Sequence, residues 1–200
     1  MPQTNKYDFS YTSTSLRLQE MVLSANAILE GREIDFVNEL GKGKAATGKR
    51  FNQEFRKRLN NLTDTQLSML AASDLVTQKQ IAFLAVCKTY GFLRDFVIEV
   101  LREKLLLFDY EFNDGEYLSF YRRKIDLHPE MEELTEATQK KIRQVSYKIL
   151  EQAGIIEDVK SKVFHPQLLD NAVSDAIVSD DPNWLKIFLI SDLDINTLKE

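Results

Sequence analysis

Six polar side chains recur down one side of the segment Thr47–Asn61: Lys49, Arg50, Gln53, Arg56, Lys57 and Asn60. At about 100° per residue they share a helix face, opposite Phe51, Phe55, Leu59 and Leu62. Four cations and two amides without a carboxylate is an odd composition for a face that only meets water, because like charges at i,i+4 weaken a helix and opposite charges support it. An anionic partner resolves the oddity. Lys and Arg pair with phosphates, and Gln and Asn can read base edges in a major groove. Lys42 and Lys44 add to the same charge from the preceding turn, and Glu54 is the only acid between Lys42 and Arg58.

A second set repeats the pattern. On Glu136–Ala153 the spacing turns Ile142, Val145, Ile149 and Ala153 inward. Lys140, Lys141, Gln144, Tyr147 and Lys148 turn outward, with Arg143 and Glu151 at the rims. Both sets point to nucleic-acid contact, DNA or RNA.

Other chemistry finds little support. Gly43-Lys44-Ala45-Ala46-Thr47-Gly48-Lys49 has most of a phosphate-loop spacing, but Arg50 stands where a Ser or Thr must hold Mg²⁺, and no strand precedes it. His128 and His165, the only histidines, each sit beside a proline with no metal-ligand or triad spacing. Glu132-Glu133 and Asp180-Asp181 read as acids favoured at helix starts. No catalytic residue, metal site or cofactor is expected.

The elements that carry these faces follow from apolar periodicity and caps. Tyr7–Tyr11 reads as an extended lead-in, and Thr12–Ser15 as caps for a helix over Leu16–Glu30. A short helix at Glu33–Leu40, a break at Gly41-Lys42-Gly43 and the helix Thr47–Asn61 make a helix–turn–helix shape over about residues 33–61. Capping boxes at Thr63–Gln66 and Thr77–Gln80 open the next two helices, and Phe92–Phe108 forms another core helix. Asn113-Asp114-Gly115 reads as a turn dividing residues 1–112 from 113–200, packed as one globule. Beyond it come helices over Glu116–Leu127 and Glu136–Ala153, the latter closed by Gly154. Ile155–Phe164 reads as a short hairpin or an extended arm, so residues 130–164 resemble a second, winged unit. Pro166 and Pro182 stand where a first-turn proline starts a helix, and Trp184 docks the last one. The expected class is all-α, a compact multi-helix fold.

Glycine and proline number only 7 and 4, too few turn-makers for an all-β chain of 200 residues. The net charge of −5 hides the basic stretches, because six aspartates between Asp170 and Asp194 offset them. Charges break up the apolar stretch Phe92–Tyr110, which excludes a membrane span, and the polar start Met1–Ser10 is no signal peptide. A single cysteine, Cys87, within an apolar helical run fits a core position in a reducing cytoplasm. A monomer is expected.

Several segments together resemble the BrxA family of bacteriophage-exclusion (BREX) systems. They are Tyr11-Thr12-Ser13, Lys49-Arg50 with Phe55–Leu59, the stretch Tyr90–Lys104, Thr138–Val145 with Ala153-Gly154-Ile155, and Trp184–Ile195. The similarity spans essentially the whole chain. It implies an all-helical component that binds double-stranded DNA through helix–turn–helix elements, alongside other BREX proteins, and it transfers no catalytic residue. A protein–protein adaptor and an RNA-binding helical protein are the rival readings.

Overall fold

The chain, described over residues 6–198 in a computed structural model, forms ten α-helices joined by short 3₁₀ and π turns. They are α1 (Leu18–Leu29), α2 (Ala45–Leu59), α3 (Asp64–Ala72), α4 (Leu75–Thr89), α5 (Gly91–Phe96), α6 (Glu103–Leu106), α7 (Asp114–Ile125), α8 (Glu136–Ala153), α9 (Asn171–Val178) and α10 (Asp192–Thr197). The run Ile81–Cys87 has no polar side to show to water, so a helix made from it must be enclosed. Every one of its side chains is fully buried, and α4 packs against α1, α2, α3, α5 and α8. Helix α5 continues through a π-helical stretch, Val97–Arg102, into α6, so residues 91–106 form one rod. Its Phe92 and Phe96 anchor a cluster of mostly edge-on aromatic pairs with Phe112, Tyr117, Phe120 and Tyr121. One continuous buried core runs from Tyr7 to Ile195.

The fold is all-α. Among the described residues the only β pairing is two isolated antiparallel bridges, Ile156 with Phe164 and Glu111 with Val163. Ile155–Phe164 is therefore a short hairpin rather than an arm, with residues 110–112 laid alongside it. Asp158 closes its tip by accepting the amides of Lys160 (2.7 Å) and Ser161 (3.0 Å). No helix among the described residues is long and apolar enough to cross a membrane. Met1–Asn5, the start of the polar N-terminus, lie outside the described residues.

The lead-in is a strap. Tyr7 and Tyr11 are buried, with a 3₁₀ turn at Ser10–Ser13. The Tyr11 hydroxyl meets Ser146 Oγ at 2.9 Å, and the Leu16 amide donates to Gln152 Oε1 at 3.0 Å, both on α8. From the other side, the Arg58 guanidinium of α2 donates to the carbonyls of Thr14 (2.8 Å) and Ser15 (2.9 Å). The strap thus lies between the two helices that carry the basic faces.

Four local expectations are corrected. Thr12–Ser15 does not cap α1; Arg17, in the left-handed region at φ 51°, precedes it with no side-chain cap. Helix α4 starts a turn before Thr77, because Asp74 already accepts the amides of Val76 and Thr77. Asn113 is no mid-turn residue but the N-cap of α7, in a reciprocal box with Glu116. Pro166 starts no helix; α9 begins at Asn171, where Asp170 accepts the Val173 amide.

Candidate nucleic-acid interface

Asp35 opens the first unit. Its carboxylate accepts the amides of Val37 and Asn38, each at 3.2 Å, and starts a π turn at Phe36–Leu40. The chain reverses through Lys42 and Gly43, both at positive φ (50° and 83°), before α2 begins. The turn and α2 meet backbone to backbone. A Cβ on Gly48 would lie 1.9 Å from the Phe36 carbonyl oxygen. No rotamer change relieves a clash with a main-chain atom, so Gly48→Ala is expected to cost stability at the upper end of the about 1–3 kcal/mol typical of overpacking. A thermal melt checks it, and an unchanged midpoint would mean that the two pieces do not pack this tightly. The same packing removes the phosphate-loop resemblance. Gly48 lies inside α2, with its amide donated to the Lys44 carbonyl at 2.9 Å.

On α2, Phe51, Phe55 and Leu59 are buried, and Lys49, Arg50, Gln53, Arg56 and Asn60 are exposed. Lys42 and Lys44 are exposed in the turn. None of Lys42, Lys44, Lys49, Arg50 and Arg56 is ion-paired among the described residues. Elsewhere pairing is the rule: Arg32 with Glu39, Lys88 with Asp180, Arg102 with Asp192, Lys104 with Glu116, Lys124 with Glu99.

Two cations of the basic run belong to a different environment. Lys57, which the helical period groups with the outer face, instead pairs with Asp8 on the strap and lies 5.1 Å from the Tyr90 ring centre. Burial raises the Asp8 carboxyl, but the hydrogen bonds from Lys57 and the Ser10 amide outweigh it and hold the group below its ordinary value. Arg58 is wholly buried. It binds Glu54 Oε1 through Nε (3.2 Å) and Nη2 (3.0 Å), and Glu54 also accepts the Tyr90 hydroxyl. The one acid of the run therefore sits in the core and leaves the outer face purely basic.

Thr135 begins the second helix by accepting the Thr138 amide at 3.2 Å, and Gly154 ends it at φ 79°. The short segment before it is a 3₁₀ turn at Pro129–Met131. Lys140, Lys141, Gln144 and Lys148 are exposed; Lys140 and Lys141 are unpaired among the described residues, while Lys148 reaches Glu151. Tyr147 does not face outward as the period suggests. It is buried, with its ring 5.2 Å from Phe112 and 5.5 Å from Tyr117. Arg143 at the rim pairs with Asp114 at 3.6 Å.

The structure adds cations that helical periodicity alone misses. Lys160 stands exposed at the hairpin tip and Lys162 lies half-buried behind it. Arg122 and Arg123 are exposed on α7, while the adjacent Lys124 is buried against Glu99. A hairpin expected over Ile155–Phe164 already places Lys160 and Lys162 beside α8. The helical period does separate Lys124, which shares the Tyr117/Phe120/Tyr121 face, from Arg122 and Arg123.

The described fold is shared with the crystal structure of an uncharacterized protein from Magnetospirillum magneticum. The TM-score is 0.79 at 20% identity, covering 92% of this chain and 98% of that one. No curated protein matches the chain. The BrxA family profile matches residues 5–181, through every element from the strap to α9 and thus both basic helices. The chain belongs to the BrxA family, which ties it to phage-exclusion (BREX) defence.

Proposed function

We propose that this protein is a non-enzymatic double-stranded DNA-binding component of a BREX phage-defence system, working beside other BREX proteins. In this reading the Phe36–Leu40 turn with α2 is one helix–turn–helix, and the Pro129–Met131 turn with α8 and its hairpin is a second, winged one. One observation carries it: of the twelve cations without an ion pair among the described residues, seven lie on the outer face of α2 with its turn and on the first half of α8, the other five being Lys6, Lys79, Arg122, Arg123 and Lys160, while most remaining cations are matched to carboxylates. A protein of net charge −5 that leaves these side chains unmatched keeps them available to a polyanion. Phosphate contacts position such a protein, and in this reading Gln53, Asn60 and Gln144, exposed on the same faces, are the side chains that read base edges.

Five free cations of the first unit, each meeting a phosphate, give a log–log salt slope of about −4.5. Affinity for unrelated duplexes should then fall roughly 500-fold between 50 and 200 mM salt. Anisotropy titrations over that range test it. A flat salt response, with binding to acidic proteins retained, would replace this reading by the adaptor. Preferential competition by structured RNA would replace it by an RNA-binding role.

A further inference from the structure

A groove of about 590 Å³ runs between the outer side of α8 and the hairpin. Its walls carry Lys140, Arg143, Lys148 and Lys162, its floor is the Tyr147 ring, and it contains one carboxylate of its own, Asp114. Asp114 is the first residue of α7, and its side chain is 52% exposed. One carboxylate oxygen lies 3.2 Å from Lys162 Nζ and accepts the Tyr147 hydroxyl at 3.3 Å. The other lies 3.6 Å from Arg143 Nη1. Two cations and a phenol around a single carboxylate make an oxyanion seat whose occupant is supplied by the protein.

Lys162 is held there at some cost. Its φ is +53°, a region that glycine or asparagine occupies more cheaply than lysine. The Asp158-closed turn fixes it, with the Lys162 amide donated to the Asp158 carbonyl at 3.1 Å. Its stem is laid across the groove, with Nζ 5.9 Å from the Tyr147 ring centre, instead of extending into water as that of Lys160 does. A strained residue that aims an ammonium into a cationic groove marks a place built for an anion.

We propose that a backbone phosphate of bound DNA takes this seat by displacing Asp114 from Arg143 and Lys162. Asp114 is then a built-in competitor that weakens the second unit. This rests on the DNA-binding reading above. It adds Arg143 and Lys162 to the contact set and gives Asp114 a regulatory role. A phosphate offers more acceptor oxygens than the carboxylate and can bind the Arg143 fork bidentately. The displaced Asp114 keeps a favourable position in the first turn of α7, where the helix dipole supports negative charge.

The test uses the full chain and a 20-base-pair duplex at 0.1 M salt. Asp114→Asn should tighten binding about 3- to 5-fold, the scale of exposed ion pairs. Arg143→Ala with Lys162→Ala should weaken it. Asp114→Asn in that double-alanine background should give no gain, because nothing is left for Asp114 to hold. Glu133→Gln, an exposed acid that does not line the groove, controls for net charge and should change affinity less than 2-fold. Melting temperatures check folding, since the Asn113–Glu116 box that starts α7 is untouched. The proposal is overturned if wild type binds and Asp114→Asn does not gain, if its gain only matches that of Glu133→Gln, or if the gain survives without Arg143 and Lys162. Absence of duplex binding by wild type would remove the DNA reading itself, and this proposal with it.

Discussion

Lys49→Glu combined with Arg56→Glu is expected to reduce duplex affinity by about 100-fold or more at 0.1 M salt and to leave the melting temperature nearly unchanged. Each phosphate contact contributes about 0.9 of a decade per tenfold dilution of salt, or roughly 8-fold at 0.1 M relative to 1 M. Two lost contacts account for about 60-fold, and reversing rather than neutralising the charges adds repulsion. The log–log slope should also become shallower by about two. Stability is spared because both side chains are exposed and unpaired, with no intramolecular partner to strand. Lys57→Ala is the matched control. By period it belongs to the same face, but its ammonium is held by Asp8, so its removal should leave DNA affinity within about 3-fold. Binding measured for the two variants on one duplex separates a face defined by the fold from one defined by the period. Wild-type affinity in the double-Glu protein would show that the face of α2 meets only solvent.

The largest effect on stability is expected at Arg58. Arg58→Met should cost about 3–5 kcal/mol, because it leaves the Glu54 carboxylate in the core with only hydroxyl partners. For a chain of this length that corresponds to a fall in Tm of roughly 6–20 °C. Thr14 and Ser15 lose donors as well, so the strap should loosen along with the core. Adding Glu54→Gln should restore part of the loss, since a neutral amide is cheaper to bury than an unpaired carboxylate. Chemical or thermal denaturation of the two variants provides the comparison. Equal stability of Arg58→Met and wild type would mean that the pair is dispensable.

The legible parts of this chain are those fixed by neighbours within one helical turn. Phe51, Phe55 and Leu59 announce the inner face of α2, and Thr135 with Gly154 delimits α8 to the residue, because apolar spacing and caps are local properties. What escapes is decided at long range. Arg56, Lys57 and Arg58 are three consecutive cations, yet one is free, one is held by Asp8 and one is sealed in the core. Within residues 54–58 the period and the i,i+4 acid Glu54 set Arg58 apart, but nothing there separates Arg56 from Lys57; that distinction comes from Asp8 on the strap and from Tyr90. Tyr147 fails for a related reason. The period places it outside, but the hairpin and residues 110–112 build a wall there that the aromatic ring can fill. Charge patterns locate the candidate faces, and tertiary contacts decide which of their members remain available.

The strap also sets a timetable. Its anchors on α8 are 135 and 136 residues downstream of it, and the Tyr7 amide reaches Glu130 across 123. During synthesis the strap has no place to dock until most of the described chain has followed it. Closing a loop of that length costs more than any single local step, and non-local closure slows folding. While α8 is still inside the exit tunnel, the backbone carbonyls of Thr14 and Ser15 can already engage Arg58, but Tyr11 lacks Ser146 and Leu16 lacks Gln152. Nascent chains halted before residue 146 should therefore leave the N-terminus open to protease, and chains released past Ala153 should protect it. Completion of α8 seats a strap made more than a hundred residues earlier, so the two basic helices reach their final spacing in one late, concerted event.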